Sequence, residues 1–264
     1  MDRFTDERDD RLLEADRFTF QVLKRIILGE CRLLLSDHEN LIVCYSAPPF
    51  PVWIWTPDHA GEAVMEKAWQ LVKEYGLLEE GCHFNLKYEL AEYFITRAKA
   101  EGRELSVLVE LLAYECLHPV KPQHPAEGGI CLSTMEDLEE LTDFKEAFHN
   151  EVAIDIQDRE QYRKNAVKDI ESGKMYFWAD PKGNHVACCK YTQTGDMASV
   201  SFVYTPPAYR RKHYAQNLVY QVTVIAKEAG LIPMIYTDAN YPASNACYQK
   251  VGYELRGRLC MIGE

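Results

Sequence analysis

Three consecutive cations lie in front of a helix-like pattern in the last third of the chain. Arg210, Arg211 and Lys212 follow Pro206-Pro207, and the amphipathic stretch begins at Tyr214. The first turn of a helix presents backbone N–H groups without intrahelical acceptors and the positive end of the helix dipole. Cations placed before such a turn would suit a pyrophosphate. The alternative is a loop whose charges are simply solvated, and the cluster alone does not decide between the two.

The elements around these cations are predicted from hydrophobic spacing. Residues 198–204 have the composition of a strand. From 214 to 229 apolar residues recur at helical spacing, and Gly230 provides a stop. A second strand at 234–237 and a short helix at 243–250 follow. This order places a helix N-terminus, with its cations, at the end of a strand.

The same region resembles the GNAT superfamily of acyl-CoA-dependent N-acetyltransferases in two motifs. The family's loop reads Arg/Gln-x-x-Gly-x-Gly/Ala between a strand and a helix, and Arg210 and Ala215 fit its two ends. Residues 245–253, which read NACYQKVGY, are similar to the motif near the end of the family's domain. The resemblance covers about 130–264. It is weaker over 1–120, where the order of elements is similar to a degenerate second copy.

The resemblance implies a fold, a co-substrate and a set of contacts. The fold class is α/β, of the α+β type, with a mixed, mostly antiparallel central sheet flanked by helices and preceded by a second GNAT-like α/β domain. The co-substrate is acetyl-CoA, with no metal. In the family the strand before the loop splays from its neighbour to pair with the pantetheine arm, and the loop amides cradle the pyrophosphate. The residues implied to bind the cofactor are Val203, Tyr204, Thr205, Arg210, Arg211, Lys212, His213, Tyr214, Ala215, Gln216, Asn245 and Tyr248.

Two residues are candidates for acid–base chemistry. By resemblance, the Tyr248 phenol protonates the departing thiolate, and its alternative is an ordinary core tyrosine. An amine must lose a proton before it attacks a thioester, yet strand 197–204 contains no carboxylate. Glu151 is therefore our candidate base, because the first helices of this fold form the acceptor wall. Its alternative is a solvated surface carboxylate.

Two positions depart from the family pattern. His213 stands where the loop usually has glycine, whose missing Cβ lets the backbone approach a phosphate. We expect His213 to adopt helical dihedral angles at the helix start. Tyr241 stands where many relatives of the bacterial subgroup have asparagine. Because of these departures, the alternative that the chain binds CoA without catalysing acetyl transfer stays open.

The chain divides by composition and by charge. We expect a degenerate GNAT-like domain over 1–120, a Pro-rich linker over 121–129 and the catalytic domain over 130–264. The N-terminal copy contains Pro48-Pro49 but no cationic loop, so we expect it to bind no CoA. Within that copy a single helix is predicted over 5–29. The formal charge is −15 for residues 1–174 and +3 for residues 175–264.

Composition excludes several classes of function. The net charge of −12 argues against nucleic acid and anionic membrane as partners. No stretch is long and apolar enough to span a bilayer, and the N-terminus is charged from its second residue, unlike a signal peptide. The nine scattered cysteines form no Cys-x-x-Cys pair. We therefore expect reduced thiols and a cytoplasmic location.

The sequence thus predicts an enzyme that transfers an acetyl group from acetyl-CoA to a primary amine of a small molecule or peptide by direct attack. Ten acidic residues between Glu136 and Glu160 suggest a cationic acceptor, although acidic helices are commonly just solvated. The first alternative is a non-catalytic CoA-binding or scaffold protein. The second is an interaction module that uses the acidic N-terminal domain. A monomer and a homodimer are both compatible with the sequence.

Overall fold

A computed structural model describes residues 1–29, 31–152 and 156–264. Asp155, one of the ten acidic residues noted above, lies outside the described residues. The chain divides into two compact units. The first unit comprises Met1–Ala113, Thr237–Tyr241 and Leu255–Glu264, and the second comprises Tyr114–Tyr236 and Pro242–Glu254.

The first unit begins with two short helices instead of the single helix predicted over 5–29. Asp6 caps the first of them in a capping box with Asp9, and a turn separates it from the second. Leu13 and Leu23, one from each helix, are buried. The elements of this unit are α1 (Glu7–Glu14), α2 (Gln21–Ile27), β1 (Leu33–Ser36), β2 (Ile42–Tyr45), β3 (Val52–Trp55), α3 (Glu62–Glu74), β4 (Phe84–Leu86), α4 (Tyr88–Ala100) and β5 (Ser106–Glu115), whose last two residues belong to the second unit.

The second unit follows the predicted order of elements. Its central helix has the buried apolar face that the spacing indicated, with Leu218, Val219 and Val222 fully covered. Its elements are β6 (Gly129–Leu132), α5 (Leu138–Val152), α6 (Arg159–Glu171), β7 (Met175–Ala179), β8 (His185–Thr194), β9 (Met197–Tyr204), α7 (Tyr214–Glu228), β10 (Ile232–Asp238), whose last two residues belong to the first unit, and α8 (Pro242–Lys250). A final strand, β11, spans Glu254–Gly263.

The two units arrange their strands alike. In the first unit β1, β2 and β3 pair antiparallel in sequence and β3 pairs parallel with β4. In the second unit β7, β8 and β9 pair antiparallel and β9 pairs parallel with β10. Two helices precede each antiparallel set, and a helix connects each parallel pair, as a parallel connection requires. The expected fold class, a mixed and mostly antiparallel sheet flanked by helices, is confirmed.

The last strand differs from the prediction. Sequence order placed 253–262 in the C-terminal domain, but Leu255–Glu264 belong to the first unit. There β11 pairs antiparallel with β4, with Cys260 opposite Leu86. Both residues are fully buried, so the strand completes the core of the first unit. The order of elements predicted a strand between α3 and α4 but gave it no bounds, because a segment as short as the three-residue β4 carries no periodicity.

Each unit has its own apolar core. In the first, Trp69 and Phe94 from α3 and α4 pack edge to face at 5.2 Å between ring centroids. In the second, Phe144 of α5 contacts Phe177 and Tyr204 of the sheet in the same manner. None of the helices in the described part of the chain has the length and apolar character needed to cross a bilayer.

Candidate active site

Strand β9 contains a β-bulge and then loses its parallel partner. Ser201 is paired with Lys190, but Tyr204 is already paired with Cys188, so β9 carries one extra residue. Phe202, in the bulge, has a left-handed φ of 51°. The pairing with β10 runs from Met197 to Val200, whereas β9 continues to Tyr204. The end of β9, at Val203, therefore has backbone groups that are not part of a ladder with β10.

An ionic cluster lies next to the bulge, with Lys145 buried and Asp169 and Lys190 partly covered. Lys145 of α5 and Lys190 of β8 contact the two carboxylate oxygens of Asp169 at 2.5 and 2.6 Å. The Lys145 ammonium also lies 4.5 Å from the ring centroid of Phe202. Burial lowers the pKa of Lys145, and the Asp169 charge opposes this shift. The cluster holds the bulge residue from the side of α5 and α6.

The connection from β9 to α7 contains two left-handed residues. Arg211 and His213 both have φ of 63°, and His213 is the residue immediately before α7. The expectation that His213 takes helical dihedral angles is wrong. A left-handed residue turns the chain into the helix, which is why the family pattern favours glycine at this position. The His213 ring packs against His124, with centroids 4.9 Å apart.

The N-terminus of α7 lacks a side-chain cap. His213 accepts no amide through its side chain, and the first turn contains no acidic residue. Backbone hydrogen bonding from α7 to the preceding loop begins with the Asn217 amide, which donates to the His213 carbonyl. Among the residues that the structure describes, no group accepts a hydrogen bond from the amides of Arg211–Gln216. These groups are open to an anion.

The three loop cations have different surroundings. Arg210 donates from Nε to the Thr205 carbonyl at 2.9 Å and pairs with Glu151 at 2.5 Å. Lys212 lies over the Tyr209 ring, 5.6 Å from its centroid. Neither Arg211 nor Lys212 forms an ion pair within the described ranges, and both are exposed. Two positive charges therefore remain uncompensated beside the open amides.

The structure brings Glu151, the candidate base, to the cationic loop. Its carboxylate contacts Arg210, and both side chains are about half exposed. Burial, with the Glu151 charge as a second cause, raises the pKa of Tyr204 at the end of β9. Glu151 is thus engaged by an arginine instead of lying free toward an acceptor.

Helix α8 buries Asn245 and Tyr248, which are its two most covered side chains. Burial raises the pKa of the Tyr248 phenol strongly, with the nearby Cys247 and Cys189 thiols adding to the shift and Ser244 opposing it. The phenol is therefore protonated throughout the physiological pH range, the form that a general acid needs. Its ring contacts Tyr253 edge to face at 6.2 Å.

Residues 137–253 match the family model described as "Acetyltransferase (GNAT) family". These residues form a GNAT domain. Its boundaries contain the bulge, the cationic loop and the Asn245–Tyr248 helix face. The GNAT family is one of acetyltransferases, so acyl transfer is the general activity to which this domain corresponds.

Solved structures extend the likeness of fold beyond the GNAT domain. A GCN5-related N-acetyltransferase from Sphaerobacter thermophilus has a TM-score of 0.69 at 12% identity, over 97% of this chain and 91% of its own. One from Kribbella flavida has a TM-score of 0.64 at 15% identity, over 95% of each chain. A GNAT-family acetyltransferase from Colwellia psychrerythraea has a TM-score of 0.60 at 12% identity, over 98% and 97%. No curated protein matches the sequence.

Sequence reasoning missed the ionic cluster of the site and the surroundings of two residues that its motifs include, Thr205 and Gly252. The Lys145–Asp169–Lys190 cluster joins residues from three elements, and no local pattern signals it. Thr205 has a buried hydroxyl oxygen without a hydrogen-bond partner in the described residues. Gly252 has φ of 98°, and a Cβ there would lie 2.6 Å from the His118 carbonyl. The glycine of the 245–253 motif is therefore required by a close backbone approach.

Proposed function

We propose that the GNAT domain transfers an acetyl group from acetyl-CoA to a primary amine by direct attack. The observation that carries this proposal is the junction of β9 and α7. There a bulged strand loses its parallel partner and leads directly to an uncapped helix N-terminus with two unpaired cations. An open strand edge suits a peptide-like arm, and open amides with cations suit a pyrophosphate.

The residues fit acetyl-CoA, which supplies an activated acetyl thioester. The amides of Arg211–Gln216 and the Arg211 and Lys212 side chains would hold the pyrophosphate. The free backbone groups of β9 at Val203, and the buried Thr205 hydroxyl, would pair with the pantetheine arm. A backbone N–H beyond the Phe202 bulge would stabilise charge that develops on the thioester oxygen.

Acid–base work falls to two residues. Tyr248 would give its proton to the departing thiolate, because burial keeps the phenol protonated, although the same burial makes it a weaker acid. Glu151 would accept the amine's proton only after releasing Arg210, since the two are paired. Pyrophosphate binding at the loop offers Arg210 another anion, which would free the carboxylate.

The acidic residues of α5 and α6 are only weak support for a cationic acceptor. Arg159 pairs with Glu139, Asp143 and Glu146, and Arg163 also pairs with Glu139. Much of the negative charge on α5 and α6 is therefore compensated internally. The proposal includes a cationic acceptor, such as a polyamine or a basic peptide amine, on the strength of the remaining acidic excess in 136–160.

A non-catalytic CoA-binding protein is the second candidate. Two observations favour it. The bulky, left-handed His213 lies beside the open amides, and the Glu151 carboxylate is paired with Arg210 and is not free to act as a base. Thiol release from acetyl-CoA across a panel of polyamines, aminoglycosides and peptide amines separates the two, measured beside the thermal shift with CoA alone. Turnover with any amine supports transfer. A thermal shift without turnover across the panel supports the second candidate, and no shift at all contradicts both.

A further inference from the structure

The first unit contains a cavity of about 380 Å³. This volume lies in the range of small-molecule sites in proteins. Every residue that lines it belongs to the first unit, so it is not part of the GNAT site described above. The lining combines guanidinium groups with apolar and aromatic side chains: Arg3, Cys31, Arg32, Leu33, Leu34, Tyr45, Tyr75 and Leu77.

The cavity wall carries one uncompensated positive charge. Arg32 donates from Nη1 and Nη2 to the two oxygens of Glu80, at 3.0 and 2.7 Å, so its charge is balanced. Arg3 forms no ion pair with any residue in the described part of the chain. A ligand that carries a single negative charge would balance the charge of Arg3, whereas a phosphate dianion would bring a second negative charge without a partner.

Arg3 is held at the cavity by the residue before it. The main chain of Asp2 exchanges two hydrogen bonds with Ser36 of β1, at 2.8 and 2.9 Å. The Asp2 carboxylate also lies 3.1 Å from Nε2 of His38, whose Nδ1 is 2.7 Å from the buried Asp9. The N-terminal segment is thus fastened along β1, which fixes the backbone from which Arg3 projects.

The remaining lining is suited to an apolar body. Leu77 and Tyr45 are almost fully buried, and Leu33 and Leu34 are half-buried. The Arg32 guanidinium lies 5.7 Å from the ring centroid of Tyr45, which keeps the apolar and charged parts of the wall adjacent. Burial raises the pKa of Tyr45 to about 12, so its phenol adds no negative charge near neutral pH.

We propose that this cavity binds a small monocarboxylate with an apolar body. The carboxylate would meet Arg3 beside the Arg32–Glu80 pair, and the apolar body would lie on Leu33, Leu34 and Leu77. The first unit would thereby be a ligand-binding unit whose ligand differs in chemistry from the co-substrate of the GNAT domain.

The test compares acids with their uncharged amides on the full chain. Benzoate and hexanoate are titrated by calorimetry beside benzamide and hexanamide. We expect a Kd below about 1 mM for at least one acid and at least tenfold weaker binding of its amide. Arg3→Gln should abolish the preference for the acid. Arg11→Gln is the matched control, because Arg11 is an exposed arginine of the same segment that does not line the cavity.

A second variant tests the apolar part of the site. Leu34→Phe enlarges a half-buried lining residue and should weaken binding of both acids while the far-ultraviolet circular dichroism stays unchanged. The proposal is overturned if neither acid binds, if acid and amide bind equally, or if Arg11→Gln weakens binding as much as Arg3→Gln. Because the readout is binding, it does not depend on whether the GNAT domain transfers acetyl groups.

Discussion

The two strand-to-helix connections that join parallel strands are alike in place and different in chemistry. In the first unit β3 ends in Trp55 and continues with Thr56-Pro57. In the second unit β9 ends in Tyr204 and continues with Thr205-Pro206. Each strand is antiparallel to its predecessor and parallel to the next. The connections are thus topological counterparts, and they share an aromatic-Thr-Pro sequence.

The connections differ in charge and in length. Six residues link β3 to α3, and none is a cation, whereas nine link β9 to α7 and include Arg210, Arg211 and Lys212. In the first unit Asp58 is paired with Lys87 at 2.6 Å and His59 with Glu89 at 3.1 Å. The first unit therefore forms this connection without Lys or Arg, and we propose that the longer cationic loop of the second unit serves to bind an anion.

The counterpart of the cationic loop in the first unit lies elsewhere than the sequence suggested. The sequence suggested Pro48-Pro49 as the counterpart of Pro206-Pro207. In the structure Pro48-Pro49 precedes β3, between β2 and β3. The true counterpart is 56–61. A search for the aromatic-Thr-Pro sequence at a strand end, instead of a double proline, identifies it.

We expect the largest loss of activity from a change to the proposed general acid, Tyr248, to which the proposal gives no counterpart in the first unit. Tyr248→Phe should lower the turnover number about 100-fold or more and leave CoA affinity nearly unchanged, because only the proton donor is lost. Steady-state kinetics and CoA titration measure the two quantities. Tyr253→Phe is the control, since it removes another buried phenol, one that bonds Thr223 at 2.8 Å. Equal losses in both variants would contradict the assignment.

Removal of the loop cations should make the two connections alike. Arg211→Ala combined with Lys212→Ala should weaken CoA binding about tenfold or more, because charge-assisted hydrogen bonds to phosphate are lost. Calorimetry measures the affinity. Lys182→Ala, an exposed lysine in the turn before β8, should leave it unchanged. An unaltered affinity in the double variant would place the anion site elsewhere.

A change at His213 tests whether the imidazole contributes to CoA binding or is merely tolerated at this left-handed position. His213→Gly should stabilise the GNAT domain by about 1 kcal/mol, because glycine adopts φ of 63° without Cβ strain. CoA affinity should be retained or increased. Thermal and denaturant unfolding give the stability. A marked loss of CoA affinity would show that the imidazole itself contacts the phosphates.

The stabilisation that the His38 contacts with Asp2 and Asp9 give to the first unit should depend on pH. Burial opposes protonation of His38, but the hydrogen bond and charge of Asp9 outweigh it and raise the pKa of His38. A raised folded-state pKa stabilises the protein fully below the unfolded value of about 6.5 and loses that effect as pH rises through the folded value. The melting temperature should therefore fall over this window in the wild type. His38→Asn should flatten that slope, and an unchanged slope would argue against the pair.

The sequence predicted most of the second unit and little of the charge pairing around its site. The elements from β7 to α8 were placed within about two residues, because each combines strong periodicity with a glycine or proline at its end. The left-handed His213 was predicted wrongly, because the helical pattern says nothing about the residue before it. The Arg210–Glu151 pair and the Lys145–Asp169–Lys190 cluster connect elements that are far apart in the sequence. Strand β11 likewise pairs with the distant β4 of the first unit. Such long-range contacts leave no local signal.

Hydrogen–deuterium exchange with and without CoA tests the central claim most directly, because it reads the amides of both connections in one sample. Saturating CoA should slow exchange in peptides that cover 205–216, where the open amides of α7 lie. Peptides that cover 56–66 should show no change. Protection at 56–66, or none at 205–216 under conditions in which calorimetry shows binding, would contradict the assignment of the acyl-CoA site to the second unit.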